Sequence, residues 1–335
     1  MMRYKRLGRT GLRVSEAALG TMNFVNSDWG IDSAQSRKVL DSYASAGGVF
    51  LDTAPIYSAG ESERLVGDFI KSDRDHFVVA TKYGVSHADG IMKSGASRRE
   101  MIRSVEASLK RLETDRIDLL YLHWWDETCG IDEVMRTFDD LVRSGKVQYV
   151  ALSNTPAWIV SRAQTLAETG DWTPLAAIQV EFNLAQRAAE RDLLPMAREL
   201  GLGSVVWGPL AGGLLARPEG GPRQKRRDAQ ATPEARRIAD VVGELAEKHR
   251  VAPASLALAG LLRMPFGNDV IPIIGASSRE QLVTNLEYLE LALEDEDVRS
   301  LQEASKSARG VPHDMLASPT IRNLLVGGSG QSLTP

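Results

Sequence analysis

Short, unbroken apolar runs alternate along this chain with longer stretches whose apolar residues recur every third or fourth position. The runs lie at 17–22, 49–52, 77–81, 118–122, 147–152, 177–180, 204–207 and 270–274, and they predict eight strands. They are continuous rather than alternating, as expected of strands buried on both faces. The periodic stretches predict helices at 33–46, 62–71, 97–112, 131–144, 156–169, 191–200, 232–248, 253–262 and 278–289. Gly47-Gly48, Gly145 and Gly201 stop three of them, and Pro156 opens another. Regular β–α alternation implies a parallel sheet with helices outside it. Eight such units in one chain fit a closed (β/α)8 barrel of the α/β class better than an open sheet. No Gly-x-Gly-x-x-Gly follows the first strand, which argues against a dinucleotide-binding open sheet.

The flanks break the alternation. Residues 3–15 read as a β-hairpin around a glycine-containing turn, placed to cover the bottom of the barrel. A long segment, 214–231, carries Arg217, Arg223, Lys225, Arg226 and Arg227 and reads as a loop at the top or side. The tail, 292–335, reads as one more helix and a Gly/Ser-rich end. No shift in composition demands a second domain, so 1–335 is expected to be one.

Composition narrows the function classes. The chain is 43% hydrophobic and 25% charged, ordinary for a soluble globular protein. Its formal charge of −4 offers no basic footprint for nucleic acid or an anionic membrane. No apolar run is long enough to span a bilayer, and the start shows no apolar signal region, so a cytoplasmic protein is expected. A single cysteine, Cys129, excludes an intrachain disulfide and reads as a small hydrophobe near a loop. His76, His87, His123, His249 and His313 are scattered, so no metal site is predicted.

In a barrel the C-terminal strand ends converge on one face. Here those ends are Gly20, Asp52, Lys82, His123, Ser153-Asn154, Gln179, Trp207 and Gly275, each polar, aromatic or glycine where an apolar run stops. Taken singly they have bland readings: Lys82 as a snorkelling lysine, His123 as a satisfied core histidine, Asp52 as a turn cap. As a set, Asp52, Lys82, His123 and the nearby Tyr57 make an acid–base group. Lys82 beside Tyr57 would stabilise phenolate and lower the phenol pKa, and a tyrosine so tuned can protonate a carbonyl oxygen. Glu61 and Glu63 read as helix-start acids favoured by the dipole. Glu181 is the only contender for a glycosidase carboxylate.

These residues fall in motifs that resemble the aldo-keto reductase superfamily over nearly the whole chain. The motifs are Leu-Gly-Arg-Thr-Gly-Leu-Arg-Val-Ser at 7–15, Leu-Gly-Thr-Met at 19–22, Leu-Asp-Thr-Ala-Pro-Ile-Tyr at 51–57 and Gly-Glu-Ser-Glu at 60–63. Further on come Ala-Thr-Lys at 80–82, Asp-Leu-Leu-Tyr-Leu-His-Trp at 118–124, Leu-Ser-Asn at 152–154 and Gln-Val-Glu-Phe-Asn at 179–183. Gly-Pro-Leu-Ala-Gly-Gly at 208–213 and Ile-Gly-Ala-Ser-Ser-Arg-Glu-Gln at 274–281 complete them. The last is similar to the bacterial and channel-β-subunit-like branch rather than to mammalian aldose reductases.

The resemblance implies a reductase of aldehydes or ketones that uses NADPH, with NADH as the other possibility. It implies Tyr57 as proton donor, with Asp52, Lys82 and His123 completing a tetrad. It implies a cofactor held by Ser153, Asn154 and Gln179 at the nicotinamide carboxamide and by Trp207 against the ring. Gly208, Pro209, Leu210 and Gly212 would line the pyrophosphate, and Gly275, Ser277, Gln281 and Asn285 the adenosine end. Gly20, Thr21 and Met22 belong to the same implied cofactor set. Two positions depart from the family pattern: Arg217-Pro218 stands where many members have a lysine, and Gln281 where some have an arginine. Arg279 or the run through Arg226 and Arg227 could compensate, or that run is a solvated loop. Phe24, Trp29, Trp124 and Trp125 are candidates for an aromatic substrate pocket, for aryl aldehydes, keto sugars or plain sugars. The alternative implied by the same resemblance is a cofactor-binding regulatory subunit with little turnover. Neither substrate nor oligomeric state is fixed by the sequence.

Overall fold

Strands β3 (Ala18–Gly20), β4 (Phe50–Asp52), β5 (Val78–Tyr83), β6 (Ile117–Leu122), β7 (Val147–Ser153), β8 (Leu175–Glu181), β9 (Gly203–Trp207) and β10 (Val270–Ile274) pair in chain order. All pairings are parallel, and β10 returns to β3, so the sheet closes into a (β/α)8 barrel. This is a computed structural model, and it describes residues 1–86, 93–216 and 231–328. Among the described residues the helices are α1 (Ser33–Ser45), α2 (Glu61–Ile70), α3 (Arg98–Arg111), α4 (Ile131–Arg143), α5 (Ala157–Gly170), α6 (Leu193–Glu199), α7 (Pro233–His249), α8 (Pro253–Leu262) and α9 (Arg279–Leu286). Then come α10 (Asp295–Ala304), α11 (His313–Ala317) and α12 (Pro319–Leu325). Side chains of Asp32, Ser97, Thr232 and Ser278 accept from the third backbone N–H of the helices they precede, which fixes where α1, α3, α7 and α9 begin.

The unbroken apolar runs have the burial that their pattern demands. Along β4 to β6, Phe50, Ala80, Leu119 and Tyr121 point into the barrel. Their neighbours Leu51, Val79 and Leu120 pack outward under the helices. Each fully buried aliphatic side chain contributes roughly 1.5–3 kcal/mol relative to an exposed one, so a barrel with two such layers needs little polar help at its centre.

Strands β1 (Tyr4–Arg6) and β2 (Arg13–Ser15) form the antiparallel hairpin. Leu7 and Val14 are fully buried with the barrel-interior residues. The Arg9 N–H donates to the Gly201 carbonyl at 2.7 Å, so the turn lies against the N-terminal end of β9. Gly8 is obligatory there: its φ is +57°, and a Cβ would sit 2.5 Å from both Gly201 O and Gly203 N. The end of the barrel remote from the polar strand termini is thereby stoppered.

The closure seam is short. β3 meets β10 through Ala18–Ile273 and Leu19–Ile274, whereas β6 and β7 pair from Ile117–Val147 to Leu122–Leu152. Pro272, opposite Val206, brings no N–H to β10.

The structure differs from the sequence reading at several boundaries. β5 does not stop at residue 81 but continues through Lys82 and Tyr83, because the lysine is bonded inside the barrel. Residues 214–216, expected as the start of the loop, belong to a 3-10 stretch, Ala211–Ala216, and Arg217, Arg223, Lys225, Arg226 and Arg227 lie outside the described residues. The tail holds α10, α11 and α12 rather than one helix, and the last two bury no residue. Among the described residues no helix is long and apolar enough to cross a membrane.

Candidate active site

Asp52 ends β4, and the chain turns at once through Thr53, Ala54 and Pro55 into a 3-10 turn, Tyr57–Gly60, that opens α2. The next strand, β5, brings Lys82 to the same level. Both Asp52 and Lys82 are almost wholly buried. The Lys82 ammonium donates to Asp52 Oδ1 at 2.6 Å, to the Thr53 carbonyl at 3.0 Å and to the Tyr57 hydroxyl at 3.2 Å. All three of its protons are therefore used, one of them on a phenol. His123 follows β6 directly; its ring meets the Tyr57 ring edge-on with centroids 6.2 Å apart. The Trp124 ring lies 6.0 Å from that of His123, half open to solvent. Aspartate, lysine, tyrosine and histidine thus share one site although they come from three strands.

The environment sets the protonation states. Burial lowers the His123 pKa to about 3, helped by the Lys82 charge, so the imidazole is neutral at physiological pH. Burial also lowers Lys82, but Asp52 and Tyr57 together outweigh it, and the ammonium is held above its ordinary value. The expected fall in the Tyr57 pKa is not what this structure gives. Burial raises the phenol, Lys82 pulls it down, and Asp52 pushes it up again, leaving it above the ordinary tyrosine value. The Tyr57 phenol therefore keeps its proton at neutral pH.

On the far side of the mouth, Gln179 on β8 donates to Asp52 Oδ2 at 2.7 Å. Asn154, in a left-handed conformation after β7, donates to the His123 carbonyl and to Ser153 Oγ, both at 3.0 Å. It also accepts from the Trp207 indole N–H at 3.0 Å. These bonds fix Trp207, at the end of β9, relative to His123. The following loop, Gly208, Pro209 and Leu210 into Gly212, has positive φ at Gly208, Ala211, Gly212 and Gly213. Gly275 after β10 is exposed, with nothing within 4 Å of where a Cβ would stand. Its carbonyl accepts from Asn285 at 3.2 Å, and Gln281 accepts from the Ser277 N–H at 2.5 Å. A flat indole, carboxamide donors and open glycine backbone at two adjoining strand ends suit a dinucleotide.

Not every expected residue is open. Gly20 is packed inside the barrel, where a Cβ would lie 2.7 Å from Ile273 Cγ2. Thr21 is fully buried, with its hydroxyl bonded to the Asp52 carbonyl and to Ser62. The Phe24 side chain is also fully buried, in the outer core, and lines no open pocket. At Thr21 the hydroxyl, and at Phe24 the ring, that suggested a ligand is taken up by the protein's own packing. Met22, Trp29 and Trp124 are exposed, and Trp125 packs half-buried on the core. Arg226 and Arg227 lie outside the described residues.

Sequence reasoning also missed residues. Glu63 does lie in the first turn of α2, but it is also fully buried and accepts from Thr81 Oγ at 2.7 Å and Arg111 Nε at 2.6 Å. Its spacing to Val66 and Ile70 put it on the apolar face of α2, and a carboxylate there requires a partner. Glu181 is half-buried, with burial alone raising its pKa.

A sequence profile of the Aldo/keto reductase family matches residues 17–306. A norsolorinic acid reductase of Aspergillus flavus is 36% identical over 319 residues, covering 91% of this chain and 81% of the relative. The aldo-keto reductase ausK of Emericella nidulans is 36% identical over 338 residues, covering 93% and 84%. An aryl-alcohol dehydrogenase [NADP(+)] of Phanerodontia chrysosporium is 33% identical over 350 residues, covering 96% and 90%.

Proposed function

Because the chain belongs to the aldo/keto reductase family, and so is an oxidoreductase acting on CH–OH and C=O groups, we propose that it reduces aromatic aldehydes or ketones with NADPH, with Tyr57 as the proton donor. The observation that carries this reading is the Lys82 ammonium, which touches Asp52 and the Tyr57 hydroxyl at once. Trp207 would hold a reduced nicotinamide, which when bound would supply the hydride for the carbonyl carbon. Tyr57 gives its proton to the carbonyl oxygen, and the phenolate left behind faces a cation 3.2 Å away. Asp52 keeps that cation charged and in place. Neutral His123, beside the Tyr57 ring, is free to hydrogen-bond the same oxygen and orient it. Asn154 and Gln179 would hold the carboxamide; Gly208, Leu210 and Gly212 the pyrophosphate; Gly275, Ser277, Gln281 and Asn285 the adenosine.

The ring series Tyr57, His123 and Trp124 runs from the reacting hydroxyl to solvent, and it favours a flat aromatic substrate. The relatives named for norsolorinic acid and for aryl alcohols support the same class. The test is steady-state turnover of a panel of aryl and aliphatic carbonyls with NADPH and with NADH. Alcohol formation from aryl carbonyls at the expense of NADPH is expected. Absence of turnover with either cofactor, alongside tight cofactor binding, would favour a regulatory subunit instead.

A further inference from the structure

Three successive residues after Tyr57 are left-handed: Ser58 at φ 48°, Ala59 at φ 53° and Gly60 at φ 94°. Two of them are not glycine, and such a conformation costs free energy that surrounding contacts must offset. The contacts are visible. Ser58 Oγ donates to the Phe24 carbonyl at 2.7 Å. Gly60 lies on the Arg111 side chain so closely that a Cβ would be 2.7 Å from Arg111 Cδ. Arg111 is itself fixed: Nε donates to Glu63 Oε2 at 2.6 Å and Nη2 to Ser108 Oγ at 3.2 Å. The other oxygen of Glu63 accepts from Thr81 Oγ at 2.7 Å, and Thr81 immediately precedes Lys82. One buried carboxylate therefore joins the strand that carries Lys82 to the side chain under the turn that carries Tyr57.

We propose that Glu63 and Arg111 are positioning residues, a buried ion pair that fixes the distance between the Lys82 ammonium and the Tyr57 hydroxyl. Neither touches the reacting atoms; they act through the strained turn and through β5. The proposal rests on the reading of Tyr57 as proton donor. The charged and titratable groups facing Tyr57 are Lys82, Asp52 and His123, and of these only the Lys82 charge favours phenolate. If the turn relaxes and Tyr57 withdraws from Lys82, phenolate becomes harder to form.

Removing one partner alone would leave a buried charge unpaired and risk unfolding. The informative protein is the double variant Glu63→Gln/Arg111→Met, which removes both charges, read beside Tyr57→Phe. The readouts are the pH profile of alcohol oxidation, cofactor dissociation constants and circular dichroism. The double variant is expected to fold and to bind cofactor as wild type does, with kcat lower by about tenfold. Its oxidation profile should move to higher pH by about half a unit or more. A folded double variant with wild-type kcat and an unmoved profile overturns the positioning role, while inactivity of Tyr57→Phe keeps the donor reading. A lower kcat with an unmoved profile also overturns it, because the pair would then be structural only. Wild-type turnover in Tyr57→Phe overturns the donor reading and the positioning role together.

Discussion

Two of the buried ion pairs, at opposite ends of the barrel, are built differently. At the stoppered end, Arg74 pairs with Asp118 at 2.7 Å, with 14% and 8% of the side chains exposed. Its other donors go to Thr114 Oγ and to the Phe77 and Arg116 carbonyls, while Asp118 also accepts from the Val79 N–H. Every remaining partner is a group that never titrates in water. At the open end, Lys82 pairs with Asp52 at 2.6 Å, with 0% and 3% exposed. There one donor goes to a phenol, a group that can lose its proton. The first pair is a saturated splice between β5 and β6. The second is the same chemistry with one partner exchanged for a titratable hydroxyl, and on the proposed reading that exchange separates a brace from a reaction centre.

The contrast breaks most sharply at Tyr57. Tyr57→Phe keeps the ion pair and removes only the hydroxyl, so carbonyl reduction should fall by ~10²–10⁴-fold, with the melting temperature nearly unchanged. Steady-state kinetics and thermal denaturation on one sample would show it. Arg74→Met should do the reverse. It strands Asp118 and should cost on the order of 3–5 kcal/mol of stability, read by denaturant titration, while kcat per folded molecule stays at the wild-type level.

A smaller effect is expected where the open end meets the proposed cofactor face. Trp207→Phe keeps a ring but loses the bond to Asn154, and the NADPH dissociation constant should rise several-fold, the equivalent of about 1 kcal/mol. Fluorescence of the remaining tryptophans or calorimetry would measure it. The smallest expected effect is none at all. With its pKa lowered to about 3, His123 is neutral throughout the physiological pH range. Tyr57, raised above the ordinary tyrosine value, stays protonated through neutrality. The kcat/KM profile for reduction should therefore be flat between about pH 5 and 8, with no inflexion at the ordinary histidine value. An acid limb near 6.5 that disappears in His123→Gln would contradict this assignment of charge.

The strands were legible because burial on both faces leaves an unmistakable run of apolar residues. Lys82 and Glu63 were the places where that reading faltered, for related reasons. A charged residue looks like the end of a buried element until its partner is known. Those partners, Asp52 and Arg111, stand 30 and 48 residues away in sequence. For Glu63 the helix dipole also supplied a sufficient local explanation, which hid the tertiary one. The direction of the Tyr57 shift was out of reach too, since the sequence displays the neighbouring cation but not the burial that outweighs it. The tail misled because α11 and α12 bury nothing, and a helix without a buried face has little periodicity to detect.

The short closure seam has a consequence for how the chain is made. Leu19, paired with Leu51, finds its second neighbour only at Ile274, so the ring stays open until β10 has been synthesised. Until then β3 and β9 each present an unpaired edge, a template for the strands of another molecule. A truncation that ends before β10 should therefore yield not a smaller barrel but a sticky open sheet, and the last strand acts as the clasp that ends that exposure.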